Sequence, residues 1–198
     1  MKELRGLVLS GGESRRMGQD KGLMVSEAQA WVNRAGLCLR EVGLPVSVMI
    51  RKAQRETYAA AILPEFELLS DLDLAVHGPL RGLLSFHQAY PQSDVLALPC
   101  DMPYVSAEIL RGLLFFYRSL PLYDVWAFEA AERLQPFPGV YKASHLSGIW
   151  QQLQSNSLPK SSLMYVLESG NTGRIGASEG MSAVFKNVNR PEDLDPLS

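Results

Sequence analysis

The chain has 198 residues, of which 46% are apolar, and it carries no long low-complexity tract, so it can enclose one sizeable core as a single domain spanning residues 1–198. A formal net charge of −2 excludes an overall electrostatic drive toward nucleic acid or an anionic membrane, and any anion site must be a local gathering of Lys, Arg and backbone N–H groups. No stretch approaches the ~20 apolar residues of a membrane span, and the charged start Met1-Lys2-Glu3-Leu4-Arg5 does not read as a signal peptide, so a cytoplasmic protein is expected.

In chain order, short apolar runs alternate with helical patterns. "RGLVLS" reads as a first buried strand. Trp31, Ala35, Leu39 and Val42 then recur at helical spacing, and Gly43 stands where a helix C-cap favours positive φ. The strand "PVSVMI", the helix "QRETYAAAIL", the strand "FELLSD" and the helix "LRGLLSFHQAY" follow, then the strand "DVLALPCD" and the helix "SAEILRGLLFFYRS", which Ser106 can cap. This alternation predicts a Rossmann-like, three-layer α/β/α domain with a mostly parallel sheet. Such sheets bind ligands beyond the carboxyl ends of their strands, so the residues just after each strand matter most. Beyond Tyr123 the pattern weakens: strands at "YDVWAFE" and "QPFPGVYK", helices at 146–153 and 162–167, and a last strand at 184–188 are expected. We read residues 1–105 and 106–198 as the N-terminal and C-terminal halves of the one domain.

The first strand delivers "LSGGESRRMGQDK" to the ligand edge. Gly11 and Gly12 lack Cβ atoms, so backbone N–H groups can close on an anion, while Arg15, Arg16 and Lys21 supply positive charge. The spacing is neither that of a Walker A loop nor GxGxxG. Asp101 reaches the same edge after another strand, and magnesium takes one or two protein oxygens while keeping water and phosphate, so one carboxylate there suffices. Asn187 and Asn189 alternate along the chain, and either could add an oxygen ligand. Cys38 and Cys100 lack CxxC spacing and read as buried thiols. His77, His87 and His145 are scattered and match neither a catalytic triad nor a zinc site.

The stretch "LSGGESRRMGQDKGLM" resembles the signature Leu-Ala-Gly-Gly-x-Ser-x-Arg-Met-Gly-x-Asp-Lys of the molybdenum cofactor guanylyltransferases, within the wider nucleotide-diphospho-sugar transferase-like fold. "CDMP" and "NVNRPEDL" resemble that family's metal motif and its C-terminal Asn-x-Asn-x-Pro-Glu-Asp-Leu. The resemblance implies nucleotide contacts from Leu9, Ser10, Gly11, Gly12, Lys21, Asp71, Gly78 and Asp101, with Arg16 and Lys21 on the phosphates. It also implies Mg²⁺ on Asp101 and Asn189, and Gly12 making room for guanine. "HGPLRG" after Asp71 resembles the family's Gly-Pro-Leu-x-Gly stretch, and Gln135 and Pro136 are acceptor contacts to examine. One departure stands out: Met49-Ile50-Arg51-Lys52 occupies the place where the family often has Asn-x-Asn, so one set of base or ribose contacts must differ.

The implied reaction transfers GMP from GTP to the terminal phosphate of molybdopterin, with pyrophosphate leaving. Cofactor-delivery proteins and apo-molybdoenzymes are the expected partners, without nucleic acid or membrane. An acceptor phosphate is already an anion and needs no general base, so catalysis rests on positioning and charge neutralisation. Two other readings share most of these residues: a nucleotidyltransferase with another base or acceptor, such as a molybdopterin cytidylyltransferase or a sugar-phosphate enzyme, and a non-catalytic GTP-binding adaptor.

Overall fold

The computed structural model describes residues 3–11, 20–177 and 179–189. Strand β1 (Leu4–Leu9) is followed by a two-residue ribbon, β2 (Val25–Ser26) and β3 (Gln29–Ala30), and then by helix α1 (Trp31–Glu41). Next come β4 (Val46–Ile50), α2 (Arg55–Ala61), β5 (Glu67–Ser70), α3 (Gly78–Ala89), β6 (Asp94–Pro99) and α4 (Ala107–Ser119). The second half contributes β7 (Val125–Ala130), β8 (Arg133–Tyr141), α5 (Ala143–Gln154), α6 (Leu163–Ser169) and β9 (Thr172–Gly176). A 3₁₀ segment, Glu179–Phe185, follows.

Seven strands form one sheet in the order β5-β4-β1-β6-β8-β7-β9. The pairs β1–β4, β4–β5, β1–β6 and β7–β9 are parallel, while β8 runs antiparallel to both neighbours. Central strands covered on both faces need unbroken apolar runs, and Leu7, Val8, Val48, Leu96 and Ala97 have no exposed surface. From β1 the chain steps outward through β4 to β5 and then returns to the other side of β1 as β6, so the strand order reverses between β1 and β6. That reversal opens a crevice at the carboxyl ends of the two strands, where ligands of open α/β sheets bind. No helix among the described residues is long and apolar enough to cross a membrane.

The mostly parallel architecture follows the sequence reading, with one correction in the second half. The strand expected at 184–188 is absent: Val184 and Phe185 end the 3₁₀ segment and residues 186–189 are irregular. The edge position beside β7 is taken instead by β9, through five register pairs from Val125↔Thr172 to Glu129↔Gly176.

At the opposite end of the sheet, Asp94 is buried and joins three elements. Its Oδ1 accepts from the Ala143 N–H at the start of α5 (2.9 Å), and its Oδ2 accepts from the Tyr117 hydroxyl of α4 (2.8 Å). Truncation would leave both donors enclosed without a partner. Asp94→Ala is therefore expected to lower unfolding stability by about 2–3 kcal/mol in denaturant melts, with nucleotide affinity of the folded fraction unchanged.

Candidate active site

Ser10 continues β1 beyond its last strand residue. Its N–H donates to the Met49 carbonyl (3.0 Å) and its hydroxyl is buried, 2.6 Å from the Tyr58 hydroxyl and 3.3 Å from Cys100 Sγ. Leu9 is likewise held in the sheet, its carbonyl accepting from the Cys100 N–H at 3.1 Å. Leu9 and Ser10 thus fix the root of the loop, and Gly11 is the first residue beyond it. Gly12, Arg15 and Arg16 lie outside the described residues.

The loop's far end is fixed by the same hydroxyl. Tyr58 donates to Asp20 Oδ1 (2.6 Å), which also accepts from the Gly22 N–H (3.1 Å), and the Gln54 amide donates to Asp20 Oδ2. Burial, reinforced by the bond to Asp20, holds the Tyr58 phenol well above its ordinary pKa, so it remains a donor. Burial likewise pushes the Cys100 thiol up to about 12, leaving it an unreactive packing group. Gly22 is required here, because a Cβ would lie 1.9 Å from Ser10 Oγ and 2.4 Å from the Tyr58 hydroxyl. Tyr58 and Gln54 were not legible from sequence, since both sit on an ordinary-looking helical stretch.

With Asp20 and Gly22 fixed, the backbone of Lys21 is fixed between them. Its Nζ donates to Asp101 Oδ2 (3.1 Å) and to Asn189 Oδ1 (2.7 Å). Asp101 follows β6, and its carbonyl accepts from the Val188 N–H (2.8 Å), which aligns the stretch carrying Asn189. Val188 packs with Met24 and Trp31 in a small apolar cluster, a second anchor for that stretch. Asn187 lines an adjoining cleft with Val188 and is not joined to Lys21.

Asp101 Oδ2 and Asn189 Oδ1 converge on a point that the Lys21 ammonium fills in this structure, and Lys21 would have to turn toward the phosphates for a metal to take both oxygens. That donor set suits Mg²⁺, whose other positions belong to water and phosphate. No group of three or more His, Cys, Asp or Glu that could hold a metal ion is found among the described residues.

Farther along the same edge lie Asp71, after β5, and Arg51, after β4. The space a Cβ on Gly11 would fill is 3.4 Å from Asp71 Oδ2, 3.6 Å from the Arg51 nitrogen and 3.7 Å from its Cγ. Asp71 Oδ1 is enclosed without a hydrogen-bond partner among the described residues. Burial raises the Asp71 pKa to about 6, opposed by the positive charges of Arg81 and Arg51. Arg81 holds the preceding loop through the Val76 carbonyl (2.7 Å) and the Leu74 carbonyl (3.2 Å), delivering Gly78 with φ +63° and open space beside it. Arg81 is another residue whose role sequence did not reveal. Met49, by contrast, is buried core. Of the acceptor candidates, the Pro136 carbonyl is occupied by the Tyr141 hydroxyl (2.6 Å), and Gln135 is half-buried on β8.

Comparison with known proteins gives the same fold from independent chains. The MobA-like NTP transferase domain matches residues 6–169. A probable molybdenum cofactor guanylyltransferase of Methanothermobacter thermautotrophicus is 32% identical over 194 residues, covering 94% of this chain and 95% of that protein. The crystal structure of molybdopterin-guanine dinucleotide biosynthesis protein A from Archaeoglobus fulgidus superposes with a TM-score of 0.74 at 18% identity, covering 96% and 94% of the two chains. A 4-diphosphocytidyl-2C-methyl-D-erythritol synthase from Anaerococcus prevotii superposes with a TM-score of 0.73 at 10% identity, covering 97% and 92%. At these identities the structural likenesses establish the fold.

The raised pKa of Asp71 has a consequence for stability. Between the ordinary carboxylate pKa near 4 and about 6, the folded state binds the proton more tightly than the unfolded chain, so the Asp71 contribution favours folding at low pH and is lost as pH rises through 6. Asp71→Asn is therefore expected to melt above the wild type at pH 7.5, with the difference closing by pH 4, in thermal scans across that range.

Proposed function

The chain belongs to the MobA-like NTP transferase family, and from that premise we propose that it transfers GMP from GTP to molybdopterin, forming the guanine dinucleotide and releasing pyrophosphate. The observation that carries this reading is the meeting of Lys21 with Asp101 and Asn189 beyond the ends of β1 and β6. Nucleotidyl transfer needs a cation and hard oxygen ligands side by side at the triphosphate, and a sheet edge that brings them together is suited to it.

In this scheme the loop after Gly11 holds the triphosphate, and Lys21, with Arg16 assigned by resemblance, neutralises the departing β- and γ-phosphates. Asp101 and Asn189 would hold Mg²⁺, which when bound would supply Lewis-acid neutralisation of phosphate charge. The acceptor phosphate attacks in line as an anion, so no side chain has to remove a proton. The scattered histidines are accordingly not needed: His87 is buried, with its pKa lowered by desolvation, and His145 is engaged with the Val166 carbonyl at 2.8 Å. Asp71, Arg51 and Gly78 face the nucleoside, and the β7–β8 half of the sheet receives the pterin. A cytoplasmic enzyme handing its product to delivery proteins or apo-molybdoenzymes completes the reading.

A non-catalytic GTP-binding adaptor is disfavoured, because storage of a nucleotide gains nothing from a metal at the α-phosphate. Incubation with molybdopterin, Mg²⁺ and each nucleoside triphosphate, with pyrophosphate and the nucleotide product both identified, tests the proposal. GTP is expected to exceed CTP and ATP by about tenfold or more in kcat/KM. Equal or better turnover with CTP would reject the guanylyl assignment, and nucleotide binding without pyrophosphate release would favour the adaptor.

A further inference from the structure

Among the described residues, two polar atoms at the ligand edge have no hydrogen-bond partner, and they lie on adjacent strand ends: Arg51 Nε and Asp71 Oδ1, both buried. Buried polar groups are nearly always paired, so a neighbouring donor and acceptor left open together call for a ligand that supplies the complement. The nearby cations do not share this feature. Arg55 reaches Ser70 Oγ at 3.2 Å, and Arg81 is occupied by backbone carbonyls and His77. Nor do Arg51 and Asp71 satisfy each other, since no ion pair joins them among the described residues. The Arg51 backbone is meanwhile fixed, its N–H donating to Gln54 Oε1 (2.8 Å) and its carbonyl accepting from the Gln54 N–H (2.9 Å).

We infer that Arg51 reads the base of the nucleotide: its guanidinium fork donates to O6 and N7 of guanine while the Asp71 carboxylate accepts from N1–H and N2–H. The inference rests on the guanylyl reading above and supplies it with a selectivity device. A planar fork of N–H donors matches the adjacent O6 and N7 acceptors of guanine bidentately. Adenine carries an amino donor in place of O6, and cytosine has no N7, so neither offers a carboxylate and a fork this combination. Gly11 matters to the same contact, because a side chain there would fill the space between Arg51 and Asp71. Arg51 thereby does by charge and geometry what a neutral amide would do by paired hydrogen bonds.

Calorimetric titration with Mg²⁺ and without acceptor, using GTP, 7-deaza-GTP and CTP, tests this on the wild type, Arg51→Met and Arg51→Lys. The 7-deaza analogue removes the N7 acceptor and leaves the rest of the base and the triphosphate intact. The wild type is expected to bind it about tenfold more weakly than GTP. In Arg51→Met both affinities are expected to fall, because both nucleotides lose the O6 contact, but GTP falls further because it also loses the N7 contact, so the ratio collapses toward one. Arg51→Lys keeps the charge and the apolar stem but not the fork, and its ratio should also drop below that of the wild type, which preserves the test if the Met variant folds poorly. An unchanged ratio in the folded variants, with GTP still preferred over CTP, overturns the role of Arg51 alone. A wild type that prefers CTP overturns the guanylyl reading and this inference together.

Discussion

The ammonium of Lys21 lies between a carboxylate and an amide oxygen contributed by segments 80 and 168 residues away in sequence, and the geometry of the site depends on its being held there. Lysine is a long, freely rotating side chain, so its position has to be imposed from its root. The Tyr58 hydroxyl does this by binding Ser10 at one end of the loop and Asp20 at the other, so that a single buried phenol closes the loop on itself. Gly22 lets the turn come close enough for the bond to form. Lys21 and Asp101 are both largely withdrawn from water, with side-chain exposures of 27% and 17%, so each depends on the other's charge.

How far the sequence went depended on whether the physical signal was local. Strands β1, β4 and β6 were legible because strands buried on both faces need continuous apolar runs, and α1 because its apolar residues follow helical spacing. Asp101 and Lys21 could be picked out as charged residues just beyond such runs. The same reasoning erred at 184–188, where a short apolar stretch has the composition of a strand but residues of β9 hold the sheet edge beside β7. β9 itself, "TGRIG", has too little apolar character to announce itself.

What sequence could not deliver was the support beneath the site. Tyr58, Gln54 and Arg81 look like residues of ordinary helices, and their parts emerge only when chain folding brings them against Asp20 and the loop before Gly78. Arg51 read as the loss of an amide contact, whereas the fold puts its backbone nitrogen and side-chain stem beside Gly11 and its charge close enough to act on Asp71. Along this one edge the residues of the site are ordered by strand: Asp101 after β6, Ser10 and Gly11 after β1, Arg51 after β4 and Asp71 after β5.

The central claim is that Asp101 acts through its charge on a metal at the triphosphate. Asp101→Asn preserves size and hydrogen-bonding capacity while removing that charge, so it separates a metal ligand from a turn residue, for which Asn would serve nearly as well. Pyrophosphate release measured across a Mg²⁺ titration should fall by roughly a hundredfold or more in the variant, with a higher Mg²⁺ requirement and only a modest change in melting temperature. A variant with the wild-type rate and the wild-type Mg²⁺ dependence would place the metal elsewhere and contradict the account.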